Sequence, residues 1–461
     1  MQRHDVLVVG SGPVGIAVAR RLAEQGLRVT VLESGAAVTD PPGSHLRNRP
    51  ELNQNPDSYF PAIQPYLHPV TNATKQAELP GAFQSELEGG WGILWTNNCP
   101  RASEFERWDA MTSTEWELRY VEAETMLQVV PAPAANSLTG NKVRERLHGV
   151  LAGMDRSVTD LPFSGRIQPS GEIYYNAPWD MLQAASPEVR KHITIQSGMC
   201  VMRLHWQGSR VTSVNVEDAN KNVISLEAPA IFLAGGAIKT PRLLHASGIT
   251  PAALGRGLSF HTLLFGQMLL DNELAAPVDV TDIDPRLWIP PTVESPWHLM
   301  LLRDTYPFAP AESIDNQHRL MEIQAFHSVD FQDENALLFD DNEDAAFHFA
   351  LSQDDRDRMR LLVADVEHLA GQLGRWRRGC EPQWLPFDTA HLAGTCRMDV
   401  PGRDGVTDSF GRVHGFGNLF LTTVGLFPVP VAENPTLTAI ALALRSCDHF
   451  IAGSAGSDSI S

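Results

Sequence analysis

Asp5-Val-Leu-Val-Val9-Gly10-Ser-Gly12-Pro13-Val14-Gly15, with the following run to Glu24 and then Leu27-Arg-Val-Thr-Val-Leu-Glu33-Ser34, decides the reading of this chain. Val6 to Val9 is an apolar run of the length of a buried strand. From Pro13 to Glu24 the apolar residues Val14, Val18, Leu22 and Ala23 keep helical spacing, and Gly26 closes the helix. Leu27 to Leu32 reads as a second strand. The first turn of this β-α-β unit is GxGxxG. Gly10 permits the tight turn, Gly12 lets the backbone approach a pyrophosphate, and Gly15 lets helix pack closely on strand. The helix N-terminus presents free N–H groups and a positive dipole end to phosphates. Glu33 ends the second strand, 18 residues after Gly15, where a carboxylate accepts hydrogen bonds from ribose hydroxyls. The motif alone leaves FAD and NAD both open.

The remaining composition narrows the class. The 461 residues carry 55 acidic and 36 basic side chains, a formal charge of −19. With 43% hydrophobic and 20% charged residues the balance is globular and excludes wholesale disorder. No stretch approaches the roughly 20 apolar residues of a membrane helix. No dense Lys/Arg block favours a nucleic-acid partner. Cys99, Cys200, Cys380, Cys396 and Cys447 are scattered and never spaced as CxxC, so neither a disulfide framework nor a metal site is expected. The N-terminal apolar run is a strand rather than a secretory segment, and the default address is cytoplasmic.

Residues 39–87 are rich in Pro, Asn, Gln and Gly without a sustained period and read as a loop-rich lid or entrance. Strands are expected at Ile193–Gln196, Val201–Trp206, Val211–Val216 and Ile231–Ala234, with a helix following Ala234-Gly235-Gly-Ala237. Trp297–Leu302 reads as a strand of alternating polarity, 353–373 as a helix, and the acidic run 340–344 as a solvated surface. Gly453 to Ser461 reads as a disordered tail.

Two C-terminal segments carry candidate chemistry: Asp388-Thr389-Ala-His391-Leu-Ala-Gly394-Thr395-Cys-Arg397-Met398, and Asn418 through Gly425 to Glu433-Asn434-Pro435-Thr436. Asn434-Pro435 has the grammar of a helix start, with Asn at the N-cap and Pro at the first helical position. Such a helix start, aimed at a flavin, would stabilise the charge of the reduced ring. On its own, as one of sixteen histidines, His391 reads more readily as a satisfied loop or core histidine. An Asn434 committed to capping would have less freedom to hold a substrate hydroxyl.

Taken together, Gly10–Gly15, His391–Met398 and Asn434-Pro435-Thr436 resemble the glucose-methanol-choline (GMC) oxidoreductases, and among them the pyranose oxidases and bacterial glycoside-oxidising relatives. Gly89-Gly90-Trp-Gly-Ile-Leu94-Trp95-Thr96 with Pro100-Arg101, Ser295 to Asp304, and Ala234 to Gly248 carry the closer similarity. The resemblance implies an α/β, two-domain fold: a Rossmann-like FAD-binding domain (1–55, 86–105, 190–262, 386–461) and a sheet-based substrate domain with lid-like loops (56–85, 106–189, 263–385). It implies His391 as the base that takes the substrate's hydroxyl proton while hydride passes to flavin N5, with Asn434 holding the same oxygen. Gly90, Trp95, Thr96, Asn97, Arg101, Val201, Ala234, Gly235, Gly425, Pro435 and Thr436 join Gly10, Gly12, Pro13, Val14, Gly15, Glu33 and Ser34 as implied FAD contacts. Met300, Leu302, Asp304 and Thr389 are implied to face substrate.

Departures from the family pattern sharpen the expectation. Fungal pyranose oxidases bond their flavin through a histidine where this chain has Leu94, so FAD is expected to be noncovalent. Met300 and Leu302 stand where those enzymes carry polar sugar contacts, which weakens selection for a bare sugar. The expected activity is oxidation of the C3 hydroxyl of a C- or O-glycoside to a 3-keto product, with oxygen, or a quinone, as electron acceptor and hydrogen peroxide as the oxygen product. A pyranose 2-oxidase acting on free glucose and a non-redox FAD-containing lyase are the alternatives.

Overall fold

The computed structural model describes residues 4–53, 61–62, 64–70, 79, 83–168, 172–303, 317–340, 345–385 and 391–457. Strand β1 (Val6–Val9), helix α1 (Pro13–Ala23) and strand β2 (Val29–Glu33) form the β-α-β unit at the centre of a five-stranded parallel sheet. Its order is Leu419–Leu421, Ala230–Leu233, β1, β2, Ile193–Ser197. The strands are short unbroken apolar runs because the sheet is covered on both faces. On one face Val6, Val8, Phe232 and Phe420 pack with Val18 of α1 and with Ala443 and Cys447 of the C-terminal helix Thr436–Ser457. On the other, Leu7, Ile231 and Leu233 meet Val214 and Val216 of the antiparallel sheet spanning Cys200–Leu226, and Leu244 of the helix Gly236–Ala246. Phe232 stacks on Phe420 with ring centroids 4.9 Å apart.

The C-terminal helix is buried continuously from Leu437 to Cys447. A second helix, Ser113–Leu127, lies along it: Arg119 and Arg21 both pair with Asp448, Arg445 pairs with Glu115 at 3.0 Å, and the Tyr120 hydroxyl meets Thr438 Oγ1 at 2.9 Å. Trp116, Tyr120 and Met126 share one apolar cluster with Leu437 and Ile440. This helix therefore packs with the parallel-sheet half, although it falls within the 106–189 stretch expected in the substrate domain. The physical reason is its apolar stripe, which finds its partner on the C-terminal helix.

The substrate half is a seven-stranded antiparallel sheet. His261–Leu270, Leu320–Ser328, Trp297–Leu302 and Arg286–Ile289 run side by side at its centre. The helix Gln353–Gly371, started by a Ser352/Asp355 capping box, closes one face through Leu362, Val366 and Leu369 on Leu299, Leu301 and Ile323. Trp297–Leu302 does not alternate between core and solvent: all six residues are buried, since the opposite face lies against the parallel-sheet half. On that face Met300 and Leu302 pack with Leu161, Leu263, Trp288 and Phe326, and Asn98 directs its Nδ2 toward Met300 Sδ at 3.7 Å.

The stacked pair in the parallel sheet is the packing element whose loss should be felt most. Phe232→Ala should destabilise the protein by about 3–5 kcal/mol, the usual cost of emptying a buried aromatic site. Urea unfolding followed by far-UV circular dichroism checks this, and an unchanged midpoint would contradict the packing described.

Candidate active site

A long cleft opens along the carboxyl ends of the parallel strands, where open α/β sheets bind ligands. Gly10, Gly12, Pro13 and Val14 form its floor, and Glu33 and Ser34 line the end beyond β2. Gly90, Trp95, Val201, Ala234, Gly235 and Thr436 complete its walls, with Lys239 beside Ser34. The glycines explain themselves sterically. A Cβ on Gly10, whose φ is +107°, would lie 2.6 Å from Ala234 O, and one on Gly15 would lie 2.0 Å from Gly10 O. Gly12 differs. A Cβ there would meet only Gly89 O, at 4.0 Å, so its missing side chain leaves open cleft rather than relieving a clash.

Helix α1 starts at Gly12 without a side-chain cap, so its first N–H groups remain available to an anion. Glu33 is fixed in place: its Oε2 accepts from Ser11 N and Oγ at 3.0 and 2.8 Å, and its Oε1 from Gly35 N at 2.8 Å. Ser11 Oγ also accepts from Gly89 N, tying the glycine turn to the segment that carries Gly90 and Trp95. An uncapped helix start, a glycine-smooth floor and a carboxylate at the end of the second strand suit the pyrophosphate and ribose of a dinucleotide. These residues fit FAD.

Other expected contacts take different places. Arg101 is held by Glu124 and Glu117 at 2.6 Å each, on the outer helix, which removes it from the cleft. Asn97, at φ +60°, gives both amide hydrogens to the carbonyls of Ser164 and Asn176 at 2.6 Å, so it shapes the turn after Thr96 instead of lining the cleft. Thr96 Oγ1 accepts from Asn98 Nδ2 at 3.4 Å. Gly425 and Pro435 are buried just behind the lining residues Val424 and Thr436. Met300 meets Asn98, but Met300 and Leu302 are both 0% exposed and neither lines the cleft. Thr389 and Asp304 lie outside the described residues, as does much of the expected 56–85 lid. Leu94 packs with Leu46, Leu87 and Ile93.

Asn434 stands one residue before the Pro435 carbonyl that accepts the first helical bond, from Ala439 N at 2.9 Å. Its side chain is therefore not spent on capping. Among the described residues its buried Oδ1 finds no donor. The expected capping role of Asn434 is thus not what engages its amide. His391 is joined to the same stretch through a residue that sequence reasoning missed: His391 Nδ1 lies 2.7 Å from His261 Nε2, and His261 Nδ1 lies 2.8 Å from the Ala432 carbonyl.

Two carboxyl groups flank this arrangement in opposite states. Burial disfavours ionisation of Glu106, but the adjacent His298, 3.1 Å away, outweighs it and holds Glu106 at about 2. Glu106 Oε1 also accepts from Ala432 N at 2.8 Å. Glu433 is wholly enclosed, and burial together with the charge on Glu106 raises it well above the carboxylate range. It is a neutral acid. No local signal in the sequence marks His261, Glu106 or His298, because their roles arise only from long-range contacts.

The fold and cleft define a flavin-type dinucleotide oxidoreductase. Residues 5–48 match the FAD dependent oxidoreductase description, and residues 180–263 and 338–443 match the two portions of the GMC oxidoreductase description. The chain belongs to the GMC oxidoreductase family of FAD-dependent enzymes. It is 25% identical to a pyranose 2-oxidase of Tricholoma matsutake over 97% of this chain and 93% of that one. It is 26% identical to a C-glycoside 3-oxidase of Microbacterium trichothecenolyticum over 97% and 96%. The solved pyridoxine 4-oxidase from Mesorbium loti shares the fold, with a TM-score of 0.68 and 19% identity over 98% of this chain and 99% of that one.

The two glycines that differ sterically should respond differently. Gly12→Val should give a folded, colourless protein, whereas Gly15→Ala should lose thermal stability, as flavin absorbance and melting curves of both will show. Glu106 supplies a pH prediction. Its depressed pKa contributes stability that is present above about 4.3, the value of a free Glu, and is lost as pH falls toward about 2. Across that window the stability difference between the wild type and Glu106→Gln should shrink, as acid titration of both will show.

Proposed function

We infer that this protein oxidises a secondary ring hydroxyl of a glycoside, at C3 of a C- or O-glycoside, to the ketone, with noncovalent FAD. The observation that carries this reading is the buried Oδ1 of Asn434, without a donor among the described residues, on the segment to which His391 is tied through His261. A lone buried acceptor calls for a donor, and a vicinal hydroxyl of a sugar ring supplies one. His391 takes the proton of the reacting hydroxyl, a contribution typically worth 10²–10⁴-fold. The amide of Asn434 holds the oxygen from which that proton leaves. When bound, FAD supplies the acceptor for the hydride of the carbinol carbon and passes the electron pair to oxygen, giving hydrogen peroxide.

The preference for a glycoside over free glucose is supported by the wall behind the site. On the strand Trp297–Leu302, the face turned toward the Thr96–Asn98 segment offers His298, Met300 and Leu302. Its one polar group, His298, is already engaged by Glu106 and Trp288. These side chains are wholly buried, so the strand offers a bare sugar no hydrogen-bonding group of its own. Full-length similarity to both a C-glycoside 3-oxidase and a pyranose 2-oxidase agrees with a pyranose ring as substrate. Leu94, having no nucleophilic atom, supports noncovalent flavin.

Anaerobic mixing of the holoprotein with glucose, xylose, an O-glycoside and an aromatic C-glycoside tests the reading. The glycosides should bleach the flavin's visible absorbance and glucose should do so slowly. His391→Ala should slow bleaching by about 10²–10⁴-fold while retaining flavin. Bleaching by glucose alone would favour oxidation at C2 of a free sugar, and none with any of them would overturn the sugar assignment.

A further inference from the structure

We propose that His261 is a positioning residue that fixes the working tautomer of His391, keeping the Nδ1 proton of His391 turned inward so that the lone pair of the neutral ring is on Nε2. This rests on the reading of His391 as the base. The argument starts at the Ala432 carbonyl, which has lone pairs and no hydrogen. At 2.8 Å from it, His261 Nδ1 must carry the proton. His261 is fully enclosed, and burial, reinforced by His391 and His298, pushes its pKa well below the usual imidazole range. The ring is neutral, so Nε2 has a lone pair and only accepts. His391 Nδ1, 2.7 Å away, is then the donor. In neutral His391 that leaves Nε2 as the nitrogen able to take a proton.

The lock is built from rigid parts. Backbone pairing between Ser259 and Ala393, with N···O distances of 3.1 and 2.7 Å, docks the His391 segment onto the start of the strand that carries His261. The Phe326 ring packs on His261 with centroids 4.7 Å apart. Ala432, the anchor, is itself held through its N–H by Glu106, which His298 and Ser103 hold in turn. Every link from Ser103 to His391 is a hydrogen bond between groups with little freedom to turn. Without an inward acceptor the imidazole can present N–H to the substrate hydroxyl, and a misassigned tautomer costs up to about 10⁴ in rate in a hydrolase triad.

The test compares holoenzymes of the wild type, His261→Leu, His261→Gln and His391→Ala by anaerobic flavin reduction, flavin content, melting temperature and ¹⁵N-histidine NMR. The His391 signal is assigned by its loss in His391→Ala. The wild type should show His391 protonated on Nδ1. His261→Leu should slow flavin reduction by about 100-fold with little change in KM, and should alter the His391 ¹⁵N pattern. His261→Gln, whose Oε1 can accept from Nδ1, should recover about 10-fold of that loss. Equal rates in the Leu and Gln variants, an undiminished rate in His261→Leu, or wild-type His391 protonated on Nε2 would overturn the proposal. Should His261→Leu fail to fold, the wild-type NMR pattern alone decides. Full activity in His391→Ala would instead overturn the base assignment itself.

Discussion

Ala432 is held from both sides: its N–H donates to Glu106 and its carbonyl accepts from His261. The rest of the site depends on that clamp. Two residues later comes Asn434, and two residues after that Thr436 both lines the dinucleotide cleft and starts the C-terminal helix. The helix is buried over most of its length between the parallel sheet and the helix Ser113–Leu127. The position of the candidate substrate-binding amide is thus set by the packing of the cofactor half, while the histidine that reaches His391 comes from a central strand of the substrate half. His391, Asn434 and the cleft are brought together by one short peptide that neither half could place alone.

The electrostatics of this junction are asymmetric. Two buried carboxyl groups lie close enough for the charge of one to oppose ionisation of the other, and Glu106 is the one surrounded by hydrogen-bond partners, from His298, Ser103 and the Ala432 N–H. Glu106 therefore carries the charge and Glu433 the proton. A buried charge is tolerated where a counter-ion and donors surround it, and an enclosed group without them stays neutral. The arrangement keeps a fixed negative charge behind the Ala432 N–H and a neutral histidine behind His391.

Much of the cofactor half was legible in the chain itself. Its information is local: apolar runs of strand length, a glycine turn at fixed spacing and an acid at the end of the second strand. Each reports on residues within about 30 positions of Gly10, in the manner of such motifs. The C-terminal pattern around His391 and Asn434 was legible as a resemblance, but the helix start was read one residue early, and with it the capping role of Asn434. What sequence could not offer was long-range company. His261 is 130 residues from His391, and Glu106 is 326 from Ala432. Arg101 read as a cofactor contact because nothing local revealed the carboxylates of Glu117 and Glu124 that hold it. Trp297–Leu302 read as alternating because burial of both strand faces depends on elements far away in sequence.

The account stands most directly on which carbon gives up its hydrogen. The measurement is the anaerobic bleaching rate of the holoprotein with an aromatic C-glycoside deuterated at C3 alone, compared with the unlabelled glycoside and with one deuterated at C2. The account predicts several-fold slower bleaching for the C3 label and none for the C2 label. Slower bleaching with the C2 label, and an unchanged rate with the C3 label, would contradict it.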